Sequence, residues 1–475
     1  MEDLYNVESK CRVCGSESLK VLMNLSPASV VMPNTGMRSI LRNEELIPVT
    51  FAYCNNCTNL QINETVKPTI LYSNFKYVTS ITHGLVDHFE KFSNECFKKK
   101  EITKDDFILD IGSNDGSLLK PFKKKGCKVL GIEPAVELAN KVSESGIETI
   151  ADFFSFELSK KIRMNYGIPK LITCNNTFAN ISDLNDFTMG LSNLANKETK
   201  ICIETQYGID VLEKKLIDTI YHEHLNYFTI KSLKSIFKKN KLFINEVEHL
   251  ENKGGSLRLK ISRDESHQNL GKRFIAENSE NINKMTQEID KVVKECRAEL
   301  DKIIQESNKK IFLFGSSVSC VSLLNQLDIK TEKIEAVIDE KPLTDNCFVR
   351  GQNIKVRNLS EIKNKKQNII LNLAYRYGDI IFSKHKKFFS ENQFSGENPH
   401  NTLSPRMSLL IIRSHIKDGI ELAESYALPK VLHNLILEHH GTSLISFFFN
   451  KASIESDKEE ASEDDFRYPG PKPYN

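Results

Sequence analysis

The chain carries almost no net charge: 65 lysines and arginines face 63 aspartates and glutamates, a formal balance of +2. That balance gives no electrostatic reason to expect nucleic acid or an anionic membrane as the main partner. Also missing is any run of about 18 or more uncharged apolar residues, the length a helix needs to cross a bilayer. Residues Met1 to Lys10 are acidic and polar rather than a basic stretch followed by an apolar one, so no secretory leader is expected. The expectation is a soluble, cytoplasmic protein. Apolar material is ample, at 40% of 475 residues beside 27% charged ones, which excludes a wholly disordered or fibrous chain. By size there is room for about three domains.

Four of the eleven cysteines stand as Cys11-x-x-Cys14 and Cys54-x-x-Cys57, with 39 residues between the pairs, while the other seven are scattered singly. In a reducing compartment, close pairs are better read as metal ligands than as disulfides. A two-residue spacer lets each pair present two thiolates to one ion, and four soft ligands meet the tetrahedral demand of zinc. With no position left open, the site is expected to be structural, holding a small domain that has too little core of its own.

From Ile70 to Lys100 the pattern is mixed and helical, with Tyr72, Tyr77, His83 and His88 among apolar residues and lysines. Phe107-Ile-Leu-Asp110-Ile-Gly112-Ser-Asn114-Asp115-Gly116 then reads as a buried strand breaking into a glycine turn, with a helix starting at Ser117. Lys128 to Ile132 is a second apolar strand ending on Glu133-Pro134, and Leu171 to Cys174 and Lys200 to Glu204 continue the alternation. Strand, glycine turn, helix, strand and acid make one half of a doubly wound α/β sheet. Charged helical sequence fills Glu277 to Lys310. A second unit of the same kind follows: Lys310 to Phe314, the turn Gly315-Ser316-Ser317, Ala336 to Asp339, and Ile369 to Leu373. Beyond about Lys387 the patterns turn helical, over Ser404 to Tyr426 and Pro429 to His440. Glu455 to Asn475 is acidic and then rich in Pro, Gly and Tyr, the composition of a disordered tail.

Three clusters carry chemistry. At the end of the first doubly wound strand, Gly112 and Gly116 allow close approach of a ligand, and Glu133 can accept from ribose hydroxyls. Asn114 stands where the dinucleotide fingerprint has its middle glycine, which favours S-adenosylmethionine over a dinucleotide; an ordinary strand-turn-helix corner is the plainer alternative. The second cluster is Tyr221-His222-Glu223-His224, with Tyr227 close behind. If extended, Tyr221 and Glu223 share one face and the two histidines the other; if helical, Tyr221 and His224 are neighbours. Either geometry sets a histidine beside a carboxylate or phenol for general-base work near neutral pH. A metal held by His222, Glu223 and His224, or a polar surface strand, are the other readings. Third, Lys253-Gly254-Gly255-Ser256-Leu257-Arg258 offers backbone donors and a guanidinium to a diphosphate, or simply turns a hairpin.

Taken in order, Cys11-Arg-Val-Cys14-Gly15, Tyr53-Cys54-Asn-Asn-Cys57, Tyr77 near Ser80, Asp110-Ile-Gly-Ser-Asn-Asp-Gly116, Tyr221-His-Glu-His224, Gly254-Gly-Ser-Leu-Arg258 and Gly315-Ser-Ser resemble the three-part sugar C-methyltransferases over roughly Cys11 to Lys387. The resemblance implies transfer of a methyl group from S-adenosylmethionine to carbon of a keto-deoxysugar linked to dTDP or another nucleoside diphosphate. It implies a zinc-binding domain over 1–70, a Rossmann-like methyltransferase domain over 71–275, a helical connector over 276–310 and a second, nucleotide-binding-like domain over 311–387. By resemblance His224 is the base that removes the proton alpha to the ketone, Glu223 and Tyr221 position it or the substrate, and Tyr77 reaches into the same site. Asp110, Gly112, Asn114, Asp115, Gly116, Glu133 and Pro134 would then hold S-adenosylmethionine, and Asn180, Ser256 and Arg258 the sugar nucleotide.

Two positions depart from that family: Phe178-Ala179-Asn180 stands for Phe-Ala-His, and Asn252-Lys253 for Thr-His. A neutral amide cannot replace an imidazole in proton transfer, so a different substrate position or sugar is expected. Residues 388–475 instead resemble part of the membrane-anchored HD-domain phosphohydrolases that cleave cyclic dinucleotides, a short all-α fragment with His415, His439 and His440 at three metal-ligand positions. The His-Asp pair expected just before Phe388 is absent. The segment therefore reads as the remnant of a gene fusion or a misassembled joint, without a working dimetal site. Methylation at oxygen or nitrogen of another small molecule, or a non-catalytic chain that only binds its ligands, are the competing functions.

Overall fold

Along the strand Leu46–Cys54 exposed and buried residues alternate until burial becomes continuous near the cysteine, the pattern of a sheet with one face packed. The structure is a computed structural model that describes residues 4–29, 34–36, 46–73, 78–81, 84–250, 254–266, 277, 279–329, 331–339, 347–349, 354–362 and 368–374, and further on 408–409, 413, 416, 420, 433, 437, 442–455 and 462–468. Its N-terminal strands are β1 (Tyr5–Val7), β2 (Leu19–Ser29), β3 (Asn34–Gly36), β4 (Leu46–Cys54), β5 (Leu60–Ile62) and β6 (Glu64–Val66). β2, β4 and β5 lie side by side, antiparallel, and β1 pairs with β6.

The central strands are β7 (Phe107–Ile111), β8 (Lys128–Ile132), β9 (Thr149–Ile150), β10 (Leu171–Asn175), β11 (Lys200–Gln206), β12 (Asn226–Tyr227), β13 (Phe243–Leu250) and β14 (Ser256–Ser262). All but β12 form a seven-stranded sheet in the order β9-β8-β7-β10-β11-β14-β13. It is parallel from β9 to β11, and β14 runs antiparallel to both its neighbours. β7, β10 and β11 are buried almost throughout, which is why they read in the sequence as apolar runs rather than as alternation. The chain starts this sheet at β7, builds outward to β9, and returns to the other side at β10. Strand order therefore reverses between β7 and β10, and the carboxyl ends of those strands open the crevice where doubly wound sheets take their ligands.

β12 leaves this sheet and pairs with β5, setting Asn226 opposite Gln61 and Tyr227 opposite Leu60. One buried apolar cluster consequently runs through both sheets, taking in Phe51, Tyr53 and Leu60 on one side and Phe178, Tyr227 and Phe228 on the other. Phe51 and Tyr227 meet edge to face, 5.1 Å between ring centroids. A ring of this kind hides about 150–250 Å², roughly 4–6 kcal/mol of transfer free energy before the cost of ordering it.

The charged helix Ser279–Glu306 leads into β15 (Lys310–Phe314), β16 (Ile334–Asp339), β17 (Cys347–Val349), β18 (Val356–Asn358) and β19 (Asn368–Asn372). Four of these make a parallel sheet in the order β18-β16-β15-β19, while β17 pairs with β3. Its first turn repeats the earlier corner: Gly315 N donates to Ile338 O at 2.9 Å, as Gly112 N does to Ile132 O at 2.9 Å.

The chain divides into two compact units, Met1–Ala374 and Tyr375–Asn475. Described residues of the second are helical at 408–409, 413, 416, 420, 433 and 437 and over Ser446–Glu455. Residues 462–468 correct the expectation of a disordered tail: Glu463–Phe466 is a short helical turn, and Phe466 is fully buried in a cluster with Leu409 and Phe448. A reading by composition missed that two aromatics, Phe466 and Tyr468, anchor an otherwise acidic stretch. His415, His439 and His440 lie outside the described residues. Among the described residues no helix is long and apolar enough to cross a membrane.

Candidate active site

The two cysteine pairs come together, with their four sulfur atoms within 4.8 Å of one another. Cys11 and Cys57 are 3.5 Å apart, and Cys14 and Cys54 are 3.6 Å apart. Four thiolates about 2.3 Å from a zinc ion form a tetrahedron with edges of about 3.8 Å, so donor set and spacing both fit that ion. The two turns are built alike: Gly15 N donates to Cys11 O at 2.8 Å and Thr58 N to Cys54 O at 2.9 Å.

At the crevice, Gly112 N and Ser113 N donate to Ile132 O at 2.9 and 3.0 Å. A side chain at position 112 would collide with Thr177, whose Oγ1 would lie 2.2 Å from the added carbon. Asn114 adopts φ of 48°, in the left-handed region that asparagine tolerates, which explains how it replaces a glycine. Glu133 is buried, with Oε2 accepting from Asn114 N at 3.0 Å and Oε1 from Ala135 N at 2.9 Å. Each oxygen keeps a second lone pair, so the carboxylate is held in place and can still accept from ribose hydroxyls. Asp110 accepts from Thr173 Oγ1 at 2.7 Å, and burial raises its carboxyl to about 7.

The side chains of Asn114 and Asp115, expected at the cofactor, turn to the preceding segment. Asn114 Oδ1 accepts from Thr79 N at 2.8 Å and Asp115 Oδ2 from Ser80 N at 3.0 Å, clamping the turn Thr79–Ile81 onto the corner. Tyr77 lies outside the described residues.

Residues 221–224 are neither strand nor regular helix but a turn closed by His224 N donating to Tyr221 O at 2.9 Å. The turn brings about the neighbour relation of the helical alternative, with 4.4 Å between the ring centroids of Tyr221 and His224. His224 Nδ1 sits 2.9 Å from Thr219 O. A carbonyl can only accept, so Nδ1 carries the hydrogen and Nε2 holds the lone pair of the neutral ring. Tyr227 Oη donates to the same carbonyl at 2.9 Å, and Tyr221 Oη lies 3.4 Å from Nε2. Thr219 and Tyr227 thus orient the ring, a role expected of Glu223; the only hint of it in the sequence was their closeness to the histidines.

Glu223 is 7% exposed, its Oε1 has no hydrogen-bond partner, and burial raises its carboxyl to about 7. His222 points elsewhere, its Nε2 bonding to Pro48 O at 2.9 Å, and burial lowers its pKa. The reading of a metal held by His222, Glu223 and His224 fails on this divergence, and among the described residues the cysteine tetrad is the one metal-ligand cluster. Tyr72 Oη donates to Glu223 O at 3.1 Å, and Asn226, just after the His224 turn, donates its Nδ2 to Ala179 O at 3.3 Å and to Ile181 O at 2.9 Å. The position that departs from Phe-Ala-His therefore lies beside the His224 turn.

Arg258 does not reach out to a ligand. The β11–β14 register sets it opposite Glu204, where its Nε donates to Glu204 Oε1 at 2.7 Å and its Nη1 to Glu248 Oε2 at 2.9 Å. At 6% exposure, its charge is neutralised inside the fold rather than offered to a diphosphate. Ser256 sits opposite Gln206 at the carboxyl end of β11, the ligand side of the sheet. Gly255, at φ of 126°, packs so close to Asp210 that an added Cβ would lie 1.9 Å from Oδ2, a structural reason for the paired glycines.

Compared with known families, residues 11–72 match a zinc binding domain, 83–244 a methyltransferase domain and 251–394 the C-methyltransferase C-terminal domain. The chain belongs to the C-methyltransferases built from these three parts. C-methyltransferase NovU of Streptomyces niveus is 24% identical over 397 residues, which cover 82% of this chain and 94% of NovU. The C-terminal part is similar to cyclic-di-AMP phosphodiesterase PgpH of Bacillus subtilis (strain 168), 39% identical over 136 residues, 28% of this chain and 19% of that protein. Magnesium protoporphyrin IX methyltransferase ChlM from Synechocystis PCC 6803 has a solved structure that is 12% identical, with 38% of this chain and 83% of ChlM covered at a TM-score of 0.30, a likeness too slight to carry weight. This C-methyltransferase is an S-adenosylmethionine-dependent enzyme. Its cysteine tetrad falls in the matched zinc binding domain, and the Gly112 corner and the Tyr221 to His224 turn fall in the matched methyltransferase domain.

Proposed function

We propose that this C-methyltransferase acts on a keto-sugar linked to dTDP or another nucleoside diphosphate, with His224 removing the proton alpha to the ketone. The observation that carries the reading is the fixed ring of His224: Nδ1 is tied to Thr219 O at 2.9 Å, which leaves Nε2 as the basic atom. A neutral imidazole whose lone pair sits on Nε2 can accept an alpha proton as a general base. The imidazolium that results keeps its Nδ1–H on the Thr219 carbonyl. Tyr221 Oη, 3.4 Å from Nε2, can donate to the keto oxygen as charge develops there. Bound S-adenosylmethionine supplies an electrophilic methyl group for the resulting carbon nucleophile. The Gly112 turn and Glu133 hold it at the switch point of the sheet, and Ser256 and Asn180 face the sugar nucleotide. The cysteine tetrad takes no part in bond making. The choice of a sugar nucleotide is supported by the ordered set of motifs.

The test combines His224→Asn with dTDP-4-keto-6-deoxyhexoses and methyl-labelled S-adenosylmethionine. Turnover should fall about 10²- to 10⁴-fold, and exchange of the alpha proton with deuterated water should stop, with S-adenosylhomocysteine affinity near wild type. Retained exchange would assign the base elsewhere, with Glu223 first in line. Label appearing on oxygen or nitrogen would favour the competing chemistry.

A further inference from the structure

The turn Gly315-Ser316-Ser317 repeats the earlier corner in outline, but three of its backbone donors are taken inside the fold. Gly315 N donates to Ile338 O at 2.9 Å, Ser316 N to Asp339 Oδ2 at 3.0 Å and Cys320 N to Ser317 Oγ at 3.4 Å. The helix that follows, Val318–Leu327, sends two polar side chains to distant parts of the chain instead. Ser322 and Gln326, one turn apart on one helix face, are 5% and 7% exposed. Polar groups buried this far destabilise a fold unless they are hydrogen-bonded, so their partners matter. Gln326 Oε1 accepts from Ser26 N at 2.9 Å and its Nε2 donates to Ser26 O at 3.4 Å, as the peptide group of a further strand would. Ser26 lies on β2, the outer strand of the N-terminal sheet, where the register with β4 shifts between Leu25 and Ala28. Ser322 Oγ donates to Ile220 O at 3.3 Å.

The N–H of Ile220 and the carbonyl of Thr219 belong to one planar peptide group. That N–H donates to Ile217 O at 3.1 Å, and on the opposite edge of the plane Thr219 O receives His224 Nδ1 and Tyr227 Oη, both at 2.9 Å. With Ser322 on the next carbonyl, residue 220 is held at both of its peptide groups, and the direction of Thr219 O is held with it. We propose that Ser322 is a positioning residue for methyl transfer, acting through the Ile220 and Thr219 peptide groups on the ring of His224. This rests on the reading of His224 as the base. It gives the second α/β unit a part in the reaction that needs no ligand of its own: its helix is a brace, anchored by Gln326 to the edge of the N-terminal sheet and by Ser322 to the tether of the base.

The experiment follows two rates in the full chain with dTDP-4-keto-6-deoxyglucose: exchange of the alpha proton with deuterated water, and methyl transfer. Ser322→Ala removes the hydroxyl without adding bulk or disfavouring the helix. Exchange and kcat should both fall about 3- to 10-fold, with KM for the sugar nucleotide and the affinity for S-adenosylhomocysteine within about twofold of wild type. Ser322→Cys, close in size and still a weak donor, should recover part of the loss. In a His224→Ala background Ser322→Ala should lower the residual methyl transfer no further, because no ring is left to orient. Wild-type exchange in Ser322→Ala overturns the proposal and leaves the reading of His224 standing. So does a loss that multiplies with His224→Ala, since it marks a general effect on the fold. Exchange that persists in His224→Ala overturns that reading and the brace together.

Discussion

Replacing Glu223 by glutamine should make the protein more stable at pH 8. Its carboxyl is 7% exposed and Oε1 has no partner, so burial, with nothing to offset it, raises the pKa from 4.5 to about 7. Between those values the folded chain keeps a proton that the unfolded chain has released. The stabilisation from this group is therefore fully present below the unfolded pKa and is lost as pH rises through about 7. A gap of that width corresponds to roughly 3 kcal/mol once the group is ionised in both states. Glu223→Gln keeps the shape and removes the ionisation, so it should gain about 1–3 kcal/mol at pH 8 and nothing at pH 4.5. In a unit of this size each kcal/mol moves a midpoint by about 1–2 °C, so thermal melts of both proteins from pH 4.5 to 8.5 will resolve the difference. Asp110, also raised to about 7 by burial, titrates in both proteins and cancels from the comparison. A variant that melts lower than wild type at pH 8 would refute the reasoning, because it would mean that the ionised carboxylate has a partner.

Elemental analysis should give one zinc per chain, and Cys57→Ser should release it and make the N-terminal strands sensitive to protease, since thiolate–zinc bonds supply folding free energy there. Full zinc retention in the variant would show that the tetrad is not the site. Glu133→Ala should weaken S-adenosylmethionine binding by about 2–4 kcal/mol, roughly 30-fold or more, and Glu133→Gln should not rescue it, because an amide cannot accept from both Asn114 N and Ala135 N. An unchanged dissociation constant for Glu133→Ala would make the carboxylate a bystander.

How much of this was legible depended on whether the deciding contact was local. β8 was legible from its first residue to the acid that follows it, because a buried parallel strand is an apolar run that stops there. β11 was read two residues short: Thr205 and Gln206 end it, and a polar Thr205 gives no sign that it is 0% exposed. The Tyr221 to His224 cluster was visible as a density of ionisable groups. Its geometry was not, because the ring is oriented by a backbone carbonyl and by a hydroxyl from β12. Arg258 was misread for the same kind of reason: the glycines beside it are local, but Glu204 lies 54 positions away and meets it only through strand register.

The same logic suggests a role for the zinc tetrad of this C-methyltransferase away from the reacting carbon. Arg12, between Cys11 and Cys14, passes its Nη1 to Ile62 O at 2.6 Å and to Leu225 O at 3.5 Å. Thr58, next to Cys57, meets Thr229 hydroxyl to hydroxyl at 2.6 Å. Each cysteine turn thus holds one end of the segment from Leu225 to Thr229. Between those ends lies Tyr227, whose ring packs on Phe51 and whose hydroxyl shares the Thr219 carbonyl with His224 Nδ1. A displacement of either cysteine turn is passed along this short path to the imidazole, whose angle sets the direction of Nε2. On the proposal that His224 is the base, the tetrad acts by fixing the direction of that lone pair, and such a role requires rigidity at a distance rather than a metal at the reacting carbon.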